Sequence, residues 1–179
     1  RSAKPAVVHI TTVQEEEDRL HQFFFGDPED FFQEFFEGRP REAPKVQRFR
    51  TQGSGSGFIF DPAGFVLTNE HVVRGADDIH VILTLPTGKE KTYAAKVIGK
   101  DPYLDLAVVK LQAGAPFPYI ALGDSDQVRV GDWALAIGSP FALGQTVTAG
   151  ILSAVKQTLV IEGRRYSDLL QTDAAINRG

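Results

Sequence analysis

The feature that most constrains the fold is the spacing of turn signals from Gly53 onward. Runs of β-branched and aromatic residues alternate with polar ones, and a Gly, Pro or Asp cluster interrupts them about every ten residues. Phe58-Ile59-Phe60 meets Asp61-Pro62-Ala63-Gly64, a hairpin turn, and Phe65-Val66-Leu67-Thr68 returns. Ile79 to Leu85 alternates and turns at Pro86-Thr87-Gly88, and Lys91 to Lys100 and Leu106 to Leu111 are two further strands. Val130 to Gly138 reads as a strand entered through a Gly131-Asp132 bend, and Ser139 to Gly144 as a loop. Thr146 to Val155 is another strand, and Gly163-Arg164-Arg165-Tyr166 a polar, exposed stretch. Turns at this spacing suit an all-β barrel or sandwich rather than βαβ units.

Within this frame one pair of side chains points to chemistry. His71 stands at the far end of the Val66-Leu67-Thr68 run. Asp105 precedes the apolar run Leu106-Ala107-Val108-Val109, and the Asp101-Pro102 turn just before it aims its side chain inward. A buried carboxylate there needs a partner, which the His71 imidazole would provide. The acid would fix the tautomer, and the histidine would serve as general base and then general acid. Histidine followed by aspartate makes the first two members of a His-Asp-Ser order. His9 reads as a strand-surface histidine within Ala6 to Val13, and His80 is given no role. No metal and no cofactor are expected, since the four histidines form no His-x-x-x-His pair and there is no cysteine. The Gly53 to Gly57 segment leads into a strand rather than a helix, which argues against a phosphate cradle. The acidic run Glu15 to Asp18 reads as a solvated face rather than a calcium loop.

Composition removes other classes. Hydrophobic residues make up 42% of the 179 residues and charged residues 23%, a globular balance. A net charge of -4 gives no electrostatic case for a nucleic-acid partner. Without cysteine there are no disulfides and no thiolate nucleophile. No apolar run has the length of a membrane span. The opening Arg1-Ser2-Ala3-Lys4-Pro5 has no apolar signal region, so the sequence is expected to begin in mid-protein. Residues 14–52 stand apart. They open acidic, close with a basic, Pro-containing run from Gly38 to Arg50, and carry seven of the 13 phenylalanines within Phe23 to Phe36. Phe31, Phe32, Phe35 and Phe36 have the spacing of a short amphipathic helix. A long aromatic-rich loop insertion, partly helical or disordered, is expected there, either mobile or docked on another subunit or over a groove.

Several segments, in order, resemble the HtrA family of serine proteases of the DegP/DegQ type. They are Gly55-Ser56-Gly57-Phe58-Ile59, Thr68-Asn69-Glu70-His71-Val72-Val73, Asp101-Pro102-Tyr103-Leu104-Asp105-Leu106-Ala107 and Ala136-Ile137-Gly138-Ser139-Pro140-Phe141. Val130-Gly131-Asp132, Thr146-Val147-Thr148-Ala149-Gly150-Ile151 and Gln171-Thr172-Asp173-Ala174-Ala175-Ile176-Asn177-Arg178-Gly179 complete the set. The resemblance implies a chymotrypsin-like double β-barrel. Residues 1–13 would be an N-terminal segment, 14–52 the loop insertion, 53–114 the first barrel and 115–179 part of the second, with no PDZ domain within this stretch. It implies His71 as general base and Asp105, rather than Asp101, as its orienting acid. It implies Gly179 as an oxyanion-hole donor, Ile176 as a wall of the specificity pocket, and Arg178 in the activation loop. It further implies a homo-oligomer, a trimer or a multiple of it, in the bacterial periplasm. Its contacts would be Val8 to Val13 and the aromatic cluster Phe23, Phe24, Phe25, Phe31, Phe32, Phe35 and Phe36.

One departure bears on function. In the family the nucleophile lies in Asn-Ser-Gly-Gly directly after the glycine that matches Gly179, where this sequence ends. No other serine here sits in a Gly-x-Ser-x-Gly elbow, so a polypeptide of this length alone is expected to show no turnover. The resemblance implies an ATP-independent serine endopeptidase of protein quality control, acting on unfolded polypeptides. The competing reading is a holdase that binds unfolded chains through the aromatic loop without cutting them. The residue two positions past Gly179 separates the two.

Overall fold

The computed structural model describes residues 3–17, 48–85, 87–139, 145–161 and 164–176. Six strands close into a barrel in the order β1-β2-β3-β6-β5-β4, and three more form a sheet in the order β7-β8-β9. The barrel strands are β1 (Val7–Glu17), β2 (Arg48–Asp61), β3 (Phe65–Thr68), β4 (Asp78–Thr84), β5 (Glu90–Asp101) and β6 (Leu106–Leu111). The sheet strands are β7 (Trp133–Gly138), β8 (Thr146–Ile161) and β9 (Arg164–Thr172). One turn of helix, α1 (Glu70–Val73), follows β3. The all-β expectation of one full barrel and part of a second therefore holds.

Alternation builds the barrel core. On β4, Ile79, Val81 and Leu83 point inward, and on β6 Ala107, Val109 and Leu111 do so, with the residues between them outside. Val8 and Ile10 of β1, Ile59 of β2 and Val66 of β3 complete the interior, and Phe117 plugs one end, edge-on to Tyr93. Each large aliphatic side chain buried in this way contributes about 1.5–3 kcal/mol. Asp61 and Gly64 shape the β2–β3 hairpin. The Asp61 carboxylate accepts from the Ala63 N–H at 2.7 Å, and Gly64 takes φ +90°, a conformation that favours glycine.

The strands differ from the sequence pattern in several places. β1 and β2 run well into the segment expected to be a loop. Their antiparallel register sets Glu15 opposite Arg50 and Glu17 opposite Arg48, so the pairing continues where hydrophobic alternation has stopped. The barrel thus includes Val7–Glu17 and starts β2 at Arg48, and only residues 18–47 of the insertion are left over. All seven phenylalanines of the aromatic cluster lie there, outside the described residues. Val8 and Ile10, expected at a subunit contact, are buried in this chain's own core. Phe117 belongs to the first core although it follows residue 114. β8 continues past Val155 to Ile161, and Arg164 to Tyr166, expected to be a polar surface stretch, begins β9. Among the described residues no helix is long and apolar enough to cross a membrane.

Candidate active site

The site is assembled on one end of the closed barrel. β3 ends at Thr68, whose Oγ1 donates to the Ser56 carbonyl at 2.8 Å. Asn69 is extended (φ -79°, ψ 147°), and α1 starts at Glu70. His71 therefore lies within a helical turn and not on the strand end itself. The protein surrounds this single turn on three sides, so that Glu70, Val72 and Val73 are buried and His71 is left exposed. Val72 and Val73 join the barrel core. The close seat of α1 depends on Gly55 of β2, where a Cβ would fall 2.5 Å from one Val72 methyl and 2.8 Å from the other. The Gly-rich lead-in makes room for the turn that carries the histidine.

Asp105 closes the pair from the other side. It directly precedes β6 and adopts φ +53°. Its Oδ1 accepts from the His71 main-chain N–H at 2.9 Å, and its Oδ2 lies 2.7 Å from His71 Nδ1. A carboxylate in this bond accepts, so Nδ1 carries the hydrogen and Nε2 presents a lone pair to solvent. The His71 side chain is 61% exposed and that of Asp105 26%, so the imidazole is reachable while the carboxylate is held beneath it. Burial pushes the Asp105 carboxyl up. The His71 main-chain N–H, the imidazole and the Asn69 amide outweigh that effect and hold its pKa below the usual carboxylate range. Asp101, the competing acid, is engaged elsewhere: its Oδ1 accepts from the N–H groups of Tyr103 and Leu104 at 2.8 and 3.1 Å. It shapes the turn that delivers Asp105.

Two neighbours were not singled out from sequence. Asn69 Nδ2 donates to the Asp105 carbonyl at 3.1 Å and to its Oδ2 at 3.2 Å. Glu70 is buried, its side chain 2% exposed, with Arg74 Nη2 at 2.6 Å and Lys100 Nζ at 3.7 Å. The Arg74 hydrogen bonds are the main reason its pKa is lowered. The Glu70–Arg74 pair is an i,i+4 spacing that the sequence does show, whereas the partner of Asn69 is 36 residues away and leaves no local pattern.

A second polar knot joins the barrel to the sheet. His9, expected on the strand surface, is 5% exposed, and its Nδ1 lies 2.8 Å from the Ser139 carbonyl oxygen. That carbonyl accepts, so Nδ1 donates. The outward face of β1 is covered by the end of β7, which the alternation of β1 alone does not reveal. The Ser139 N–H donates to Ser56 Oγ at 2.9 Å. Gln145 Nε2 donates to the carbonyls of Lys4 and Val7. The Ser56 hydroxyl and the Ser139 main chain are thereby engaged in structure, and among the described residues no hydroxyl is hydrogen-bonded to His71.

The remaining expected site residues follow β9. Asp173 Oδ1 accepts from the Ile151 N–H at 2.7 Å, and Thr148 Oγ1 donates to the Ala175 carbonyl at 2.7 Å, which straps this segment to β8. Ile176 is 72% exposed. Arg178 and Gly179 lie outside the described residues. A cleft of about 180 Å³ adjoins His71, lined by Thr12, Gln14, Ser54, Val72 and Arg74 among others. A wider groove of about 620 Å³, with Asn69, Leu106, Ile120, Leu135 and Ile137 in its walls, runs between barrel and sheet.

Comparison with known proteins agrees with this architecture. Residues 55–179 match the trypsin-like peptidase domain. The chain is 45% identical over 182 residues to a probable periplasmic serine endoprotease, DegP-like, of Hahella chejuensis, covering 98% of this chain and 36% of that protein. A probable periplasmic serine protease do/HhoA-like of Haemophilus influenzae is 46% identical over 159 residues, covering 88% of this chain and 32% of that protein. Among solved structures, the HtrA-type protease AlgW with decapeptide superposes with a TM-score of 0.66 at 40% identity, covering 98% of this chain and 50% of that one. The chain belongs to the trypsin-like peptidase family, in its HtrA, DegP-like branch. It spans about a third of the length of the curated relatives it matches.

Proposed function

We propose that the protein is a periplasmic, ATP-independent serine endopeptidase that cuts unfolded polypeptides, with His71 as general base and Asp105 as its orienting acid. The 2.7 Å contact between His71 Nδ1 and Asp105 Oδ2 carries this reading. With Nδ1–H held by the carboxylate, Nε2 takes the proton of a serine hydroxyl as that oxygen attacks the scissile carbonyl. It then returns the proton to the leaving amine. Asp105 stays ionised throughout, in line with its lowered pKa, and stabilises the imidazolium. In the family pattern the nucleophile lies two positions past Gly179, and the Gly179 N–H stabilises the tetrahedral oxyanion. Ile176 would wall a pocket for a small aliphatic side chain, and Arg178 would lie in the loop that switches the site on. The open setting of His71 suits an extended peptide substrate. The relatives' names support the compartment, and AlgW with its decapeptide supports peptide binding.

The test uses the intact protein with a denatured substrate such as reduced, unfolded casein. Wild type should cleave it without ATP and react with a fluorophosphonate probe. His71→Ala should lower kcat/KM by about 10³-fold or more at unchanged Tm. Undiminished cleavage by that variant, or a wild type inert to substrate and probe, would overturn the proposal.

A further inference from the structure

We infer that Asn69 is a positioning residue for the His71–Asp105 pair, acting as a two-point clamp on Asp105. This inference rests on the protease reading for its kinetic consequences and on geometry alone for the clamp. Asn69 occupies the N-cap of α1, a position where an asparagine oxygen ordinarily accepts from an N–H of the first turn. Its side chain makes no such bond. It reaches instead across 36 residues to Asp105. One Nδ2 serves two atoms there, the main-chain carbonyl at 3.1 Å and the carboxylate Oδ2 at 3.2 Å. Both are acceptors, so only the NH₂ end of the amide fits and its orientation is set by chemistry.

The two contacts have separate consequences. Asp105 is one of three described non-glycine residues at positive φ, a conformation an aspartate tolerates but does not favour. A bond to its own carbonyl holds the backbone in that conformation. This in turn sets the carboxylate astride the main-chain and ring N–H groups of His71. The bond to Oδ2 places a second donor on the oxygen that receives His71 Nδ1–H. Asn69 thereby limits the rotation of the carboxylate, and with it the rotation of the imidazole. The Asn69 residue is exposed, so its loss removes donors without opening a cavity.

The test compares two near-isosteric replacements in the intact protein. Asn69→Leu keeps the shape and removes both donors. Asn69→Asp keeps the shape and turns an acceptor toward two acceptors. We expect kcat/KM to fall on the order of ten-fold in Asn69→Leu, the usual worth of a hydrogen bond to a charged group, and further in Asn69→Asp. The Asn69→Asp deficit should shrink as pH falls and the new carboxyl gains a proton it can donate, whereas the Asn69→Leu deficit should not depend on pH. A space-filling role would leave both variants near wild type, and a purely structural one would move Tm in step with activity.

The second readout needs no turnover. Proton NMR of the intact protein should show a far-downfield Nδ1–H that vanishes in His71→Ala and is shifted or broadened in both Asn69 variants. Both variants within two-fold of wild type, with the downfield proton unmoved, would overturn the inference. If the wild type shows no peptidase activity, the protease reading fails on its own, and the downfield proton alone decides the clamp.

Discussion

The closed barrel and the three-stranded sheet are built from similar strands and are buried to different extents. Every barrel strand has a neighbour on both sides, and Ile10, Ile59, Val66, Val81 and Val109 are fully enclosed. Among the described residues β7 and β9 each pair on one side only, and Trp133 is 82% exposed. The chemistry divides along the same line. His71, Asp105, Asn69 and Glu70 all sit on the barrel, where a packed core holds them. The segment that follows β9 is carried by the sheet. The pair proposed for acid–base chemistry is thus seated on the closed barrel, and the segment proposed to stabilise charge follows the last strand of the sheet.

That contrast can be tested by substitution. The largest stability effect should come from the barrel core: Ile59→Ala is expected to cost about 2–5 kcal/mol. Leu135→Ala, at a β7 residue that is 64% exposed, should cost clearly less. Denaturant titration reads both, and similar costs would remove the distinction between the two regions. A smaller effect is expected at the seat of α1. Gly55→Ala drives a methyl into Val72 and should cost about 1–3 kcal/mol, largely restored when Val72→Ala is added. Additive costs in the double variant would mean that the contact is not what constrains Gly55.

The smallest effect is in pH dependence. Asp105 and Glu70 both have folded-state pKa values below the ordinary carboxylate range. The unfolded chain therefore binds their protons more readily. Their contribution is fully present above the ordinary carboxylate range and is lost as pH falls below that range through the lowered values. Melting curves of wild type against Glu70→Gln and Asp105→Asn should show a flatter acid limb in each variant. An acid limb as steep in both variants as in wild type would contradict the assignment of those shifts.

How much of this was legible in the sequence depended on whether the decisive contact was local. The His71–Asp105 pair could be read because a turn and an apolar strand flank Asp105 within a few residues. The choice between Asp101 and Asp105 came from the resemblance, and the turn bonds of Asp101 now give it a physical reason. The burial of His9 is not legible locally, because the strand's alternation describes only its own two faces and the residue just past β7, 130 positions away, covers one of them. The ends of β1 and β2 escape a pattern reading because charged residues there carry no apolar alternation, and their pairing supplies what the pattern lacks. Asn69 gives no sign of its role in the sequence, because its partner, Asp105, is 36 residues distant.

The most direct test of the account sets two neighbouring acids against each other in the intact protein. Asp105→Asn should lower kcat/KM by about 10³–10⁴-fold, because the imidazole loses its tautomer and orientation. Asp101→Asn should stay within about ten-fold, since that side chain only shapes the turn. Equal losses, or a larger loss at Asp101, would contradict the claim that the barrel holds His71 ready through Asp105.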